Sequence, residues 1–140
     1  MADSLLGAVK QAFEADPTLG AMAPGGLWTS EVPEDTELPY VCLDHEGTEY
    51  RWTASGGEKR VEQSVVCFHV YAAGAESAEE VAGRLVDVFK RPGCLSFDSK
   101  RLMAMVPLQL QVQSTPGRFE DGHLVYLASL RCDVKVSSGD

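Results

Sequence analysis

The sequence predicts an α+β fold: an antiparallel sheet of about four to five strands, arranged as two long hairpins and covered by two amphipathic helices. Three observations predict it. Two segments repeat apolar residues at helical spacing, two others alternate apolar and polar residues strictly, and helix, hairpin, helix and hairpin follow in that order along 140 residues. Strands that are apolar on one face need a cover, which the helices supply. The length suits one domain, 1–140, with one core.

The first helix is expected over Asp3 to Glu14, where Leu5, Leu6, Val9, Ala12 and Phe13 share a face and Asp3 is available as N-cap. Asp16-Pro17 ends it. The stretch to Pro39 holds Ala23-Pro24-Gly25-Gly26 and the acidic Glu34-Asp35-Thr36-Glu37, and reads as loop with a short strand near Leu27 to Val32. Strand character begins at Leu38, runs to about His45, and resumes at Tyr50-Arg51-Trp52-Thr53 after a bulge at Gly47. Ser55-Gly56-Gly57 offers a turn, and Val61 to Ala72 returns as the partner strand, so the tip of this hairpin should project. Residues Gly47 to Arg60 are then expected to be mobile in an isolated subunit.

Ser77-Ala78-Glu79-Glu80 has the form of a capping box and opens the second helix, along which Ala78, Val81, Ala82, Leu85, Val86 and Phe89 repeat. Lys90 and Arg91 suit the negative end of its dipole, and Pro92-Gly93 stops it. Beyond it, Leu102, Ala104, Val106, Leu108, Leu110 and Val112 should form one strand face opposite Gln109, Gln111 and Gln113. In the final run Leu124, Tyr126, Ala128, Leu130, Cys132, Val134 and Val136 oppose Ser129, Arg131, Asp133 and Lys135.

Hydrophobic residues make up 44% and charged ones 24%, a globular balance. With 21 acidic against 12 basic residues the net charge is −9, which disfavours tight binding to nucleic acid yet suits a surface past which DNA slides. No run is long and apolar enough for a membrane span, and the N-terminus lacks the pattern of a signal peptide, so a cytosolic protein is expected. Cys42, Cys67, Cys94 and Cys132 are scattered and read as free thiols.

No cofactor or metal site is expected and no catalytic centre is evident. Cys67 and His69 point the same way on a strand, but nothing near them in sequence supplies an orienting acid or a third ligand. His45 and His123 are each alone among polar neighbours, and the glycine pairs fit no phosphate-binding spacing. The acid pairs Glu34-Asp35 and Glu79-Glu80 belong to a loop and a helix start. The candidates for protein contact are Trp28, Tyr50, Arg51 and Trp52, Lys59 and Arg60 at the hairpin tip, Met103 and Met105 on one strand face, and Arg118-Phe119 in the last connection. The alternative for the aromatic residues is to cap the core.

The ordered pieces together resemble a known family: Leu38-Pro39-Tyr40-Val41, Gly47-Thr48-Glu49-Tyr50, the turn at Gly56-Gly57, Val61 to Tyr71 leading into the helix Ser77 to Phe89, and Gly122-His123-Leu124-Val125-Tyr126 ending in Cys132-Asp133-Val134. They resemble the tail terminator, or tail completion, proteins of long-tailed bacteriophages. The N-terminal helix ending at Ala15-Asp16-Pro17 matches as well, whereas Cys94 to Lys100 and Met103-Ala104-Met105 depart from the family. The resemblance implies a structural virion protein with no enzymatic activity, a homo-oligomeric ring, expected to be a hexamer, and a place in the tail and neck after assembly in the host cytoplasm. The partners implied are the major tail tube protein and the head–neck connector or stopper, with DNA passing through the lumen unbound and no membrane involved. Alternatives are a head completion or stopper protein of the same neck, or a non-viral small-ligand-binding α+β module.

Overall fold

The computed structural model describes residues 4–33, 35–52, 60–113, 117–118 and 124–138, with backbone alone at 51, 52, 60, 117, 118 and 138. Along the chain come α1 (Leu5–Glu14), α2 (Pro17–Met22), β1 (Leu27–Trp28), β2 (Tyr40–Trp52), β3 (Arg60–Ala72), α3 (Ala75–Phe89), β4 (Lys100–Val112), β5 (Gly117–Arg118) and β6 (Leu124–Ser138). The sheet has the order β1-β2-β3-β6-β4, and β5 pairs with the start of β6. Only β1 on β2 is parallel; the other ladders are antiparallel. The class is α+β, as the patterning predicts.

Three helices are described where two are expected, and the difference lies in Asp16-Pro17. These residues end α1 and also start α2: the Leu19 amide donates to Asp16 Oδ2 at 3.2 Å, and Pro17 fills a first-turn position where no amide hydrogen is needed. The α1 N-cap is Ser4, whose Oγ accepts from the Gly7 amide at 3.0 Å; the Asp3 expected there lies outside the described residues. The capping box at Ser77 is also corrected. Helix α3 begins two residues earlier, at Ala75, with Gly74 as a cap that offers no side chain, so Ser77 sits inside the first turn. Ala75 and Glu76 are good helix formers, and the Glu76 carboxylate favours the positive end of the dipole.

One face of the sheet carries the helices. Val41 and Leu43 of β2, Val66, Phe68 and Val70 of β3, and Ala128, Leu130, Cys132, Val134 and Val136 of β6 point toward them and are buried. From the other side α1 brings Ala8, Val9 and Phe13, α2 brings Leu19, and α3 brings Ala78, Val81, Ala82, Leu85, Val88 and Phe89. Phe89 meets Phe68 with ring centroids 5.0 Å apart, and full burial of such a ring is worth about 2–3 kcal/mol. Gly25 closes the β1 end against the start of β2. A Cβ there would lie 1.9 Å from the Glu37 carbonyl oxygen and 2.7 Å from Tyr40 Cβ, so only glycine fits.

The expected bulge in β2 is present, with the register shifting between His45 and Gly47, although the strand runs unbroken from Tyr40 to Trp52. The turn at Ser55-Gly56-Gly57 lies outside the described residues. Strand β4 departs most from expectation. Its register against β6 shifts twice, between Leu102 and Ala104 and between Pro107 and Gln109, and each shift inserts one residue and inverts the alternation. Residues aligned with the helix-facing side of β6 are therefore Leu102, Met105, Pro107, Leu110 and Val112; Ala104 and Val106 align with its open side, opposite Lys135 and Asp133. The single even-numbered apolar face expected of β4 is not formed.

Candidate assembly surfaces

Opposite the helices the sheet has an open face, built from residues that alternate with the core set. Across its centre three strands contribute one polar line: Ser129 on β6 pairs with His69 on β3, and Asp44 on β2 lies diagonally beyond. His69 Nδ1 is 2.9 Å from Ser129 Oγ, and Nε2 is 3.0 Å from Asp44 Oδ2. A carboxylate only accepts, so Nε2 carries the hydrogen and Nδ1 accepts from the serine hydroxyl. Beside this line Arg131 donates to Glu46 Oε2 at 3.0 and 2.7 Å, and Gln63 donates to Asp133.

Serine, imidazole and carboxylate in series invite comparison with an acyl-transfer site, and the surroundings argue against one. Ser129 lies in β6 between β3 and β4, where backbone amides are committed to sheet ladders and cannot form an oxyanion hole. Asp44 is well exposed, and the surface is a flat sheet. A shallow depression of about 610 Å³ lies elsewhere, on the helix layer, lined by Met22, Glu80, Gly83, Arg84, Val86 and Asp87. The line is best described as a cross-strand tie.

Cys67 shares the open face with His69, as their spacing requires, but the imidazole turns to Asp44 and Ser129. Burial, with the nearby Glu46 and Asp44 carboxylates, raises the Cys67 thiol above its ordinary range, the opposite of what a nucleophile needs. Burial likewise raises Cys42 and Cys94, and pushes Cys132 up to about 12. All four thiols are free, and Cys67 and Cys132 lie on opposite faces of the sheet. His45 is not alone: its Nε2 lies 2.8 Å from Thr48 Oγ1, which in turn lies 2.8 Å from Ser64 Oγ. Among the described residues no three His, Cys, Asp or Glu side chains gather where a metal could sit, and no helix is long and apolar enough to cross a membrane.

The contact candidates are scattered over the sheet. Trp28 is half-buried on β1, its Nε1 donating to the Gly25 carbonyl at 2.7 Å, so it locks the β1 turn while showing part of its ring. Tyr50 on β2 is 56% exposed. Arg51 and Trp52 end β2 and Arg60 opens β3, by backbone, with Trp52 opposite Arg60 in register. Arg118 is in β5; Lys59 and Phe119 lie outside the described residues, as does His123. The methionine pair is separated. Met103 occupies the first bulge and is 55% exposed, whereas Met105 is 7% exposed and packs in the core beside Cys94 Sγ at 3.8 Å.

What sequence reading missed is the apolar edge of β4. Val106 on the open face, Leu108 in the second bulge, and Leu110 and Val112 on the helix-facing side are all exposed, with Leu124 of β6 nearby in the same hairpin. Assigning all the even residues to one buried face hid them. Exposed apolar groups clustered on an edge strand are what an interaction surface looks like.

No protein-family model and no curated protein sequence matches the chain. Among solved structures, the fold is similar to that of a chain in the virion of a native gene transfer agent particle, with a TM-score of 0.68 over 94% of this chain and 95% of that one, at 22% identity.

Proposed function

We propose that this chain is a structural protein of a phage-like virion, acting in it as a tail terminator: a subunit of a ring, expected to be hexameric, that caps the tail tube and joins it to the head–neck connector. The observation that carries the reading is the likeness, over nearly the whole of both chains, to a chain of a gene transfer agent virion. A fold alone carries no function. Two further features agree with a structural role without enzymatic activity: a flat open face with no cleft at its one serine-imidazole-carboxylate line, and sheet edges of different character, suited to the head-to-tail contacts that close a ring. The net charge of −9 suits a lumen that DNA crosses unbound. Partners on this reading are further copies of the chain, the major tail tube protein and the connector, met in the host cytoplasm during assembly.

The test is removal of the gene. Tails of abnormal length, or tails unable to join filled heads, are expected while capsids and packaged DNA stay normal. Electron microscopy of wild-type particles should place the protein at the head–tail junction; normal infectious particles without it, or density elsewhere, would overturn the reading. Placement one ring closer to the head would assign the stopper role in its stead.

A further inference from the structure

We infer that copies of this chain join head to tail through opposite edges of the sheet, the apolar and basic edge at β4 of one copy seating against the acidic edge at β1 and β2 of the next. This rests on the ring reading above and specifies its contact. The two edges differ in kind. Residues 99–118 contain Lys100, Arg101 and Arg118 and no Asp or Glu, although the chain as a whole is strongly acidic. Lys100 is held by Glu62 Oε2 at 3.3 Å, which leaves Arg101 as the exposed cation of β4. Around it the edge presents Met103, Val106, Leu108, Leu110 and Val112.

At the other end of the strand order the charge reverses. Residues 29–50 contain no Lys or Arg, and Glu31, Asp35, Glu37, Asp44, Glu46 and Glu49 among them are exposed. Glu46 is partly neutralised by Arg131, and Glu31, Asp35 and Glu37 extend the negative rim along the lead-in to β2. Strand β1 pairs only with Val41 and Cys42, so beyond them the outer side of β2 has no strand partner among the described residues. Exposed Tyr50 and half-buried Trp28 supply apolar surface on this side.

The geometry of β4 also decides what kind of contact this is. Pro107 lacks an amide hydrogen, and the bulges on either side of it break the outer row of backbone groups, so another strand cannot add along β4 as a regular ladder. The contact is therefore made by side chains. Because the surfaces are different patches on each subunit, the contact is heterologous, and repeating it closes a ring or extends a filament. Two like-charged β2 edges repel, which disfavours the isologous alternative on that side.

The experiment uses two charge-and-shape variants of the full chain and measures mass by sedimentation. One carries Arg101→Glu with Leu108→Asp; the other carries Glu31→Lys with Glu37→Lys. All four positions are exposed, and circular dichroism checks the fold. If Leu108→Asp prevents folding, Leu108→Ser replaces it. Wild type should assemble as concentration rises, with added salt weakening the contact, and each variant alone should associate at least tenfold more weakly. An equimolar mixture of the two should associate again, because each pair retains one intact set of edges and its two altered edges carry opposite charges. Either variant assembling like wild type, a mixture that stays monomeric, or wild type that stays monomeric at millimolar concentration would overturn the inference. A wild-type ring that survives both pairs of substitutions would sink this contact and leave the terminator reading standing; normal particles after gene removal would do the reverse.

Discussion

The carboxylate of Asp16 accepts from the Leu19 amide and from Arg84 Nε and Nη2 at 2.9 and 2.8 Å, so one side chain caps α2 and ties it to α3. The Arg84 hydrogen bonds hold its carboxyl below the usual 3.8, against the opposing effect of burial. The unfolded chain thus binds this proton more readily than the folded one. Stability from the site is present above the unfolded value and is lost as pH falls through the lower, folded one. Asp16→Asn should cost about 3 kcal/mol at neutral pH, from the ion pair and part of the cap, and urea unfolding should show less acid-dependent loss as pH falls below the usual carboxylate range than in wild type. Nothing local in sequence marks Arg84 as the partner 68 positions away. Asp16-Pro17 reads equally as a helix stop and a helix start, and six residues with Leu19 as their one buried member show no helical period to decide between them.

Legibility varies from element to element for a physical reason. In β6, paired on both sides, Ala128 through Val136 kept the alternation seen in sequence, because a central strand has no freedom to slip. In β4, paired on one side, two extra residues are accommodated, and alternation in sequence stopped meaning alternation in space. The methionines measure this difference. Met105→Ala should cost about 2–4 kcal/mol, as truncation of a packed core methionine does, whereas Met103→Ala should change stability by less than about 0.5 kcal/mol. Equal costs in denaturant titrations would contradict the bulge. The same slip explains the candidate surface. Tyr50 and Met103 were legible as exposed groups by residue type, while Val106, Leu108, Leu110 and Val112 were not, since regular alternation placed them inside.

For the molecule as a whole, a single helix layer on one side of the sheet leaves the other side to polar ties such as Asp44–His69–Ser129, and both edges open to neighbours. The topology has a further consequence, for biosynthesis. Strands β3 and β4 never touch as neighbours; the place between them is filled by β6, which follows both in the chain. On the ribosome, everything through β4 emerges before the strand that joins it, so β3 and β4 wait with one row of amides each unpaired and the helix-facing residues of β6 missing from the core. Such late, non-local closure makes folding slow and leaves a nascent chain in need of protection from aggregation. A chain ending at residue 123 should show no cooperative unfolding transition and should be digested rapidly by protease, and adding residues 124–138 as a separate peptide should restore protection. A stable, protease-resistant fragment without that peptide would mean that the earlier elements fold before the keystone strand arrives.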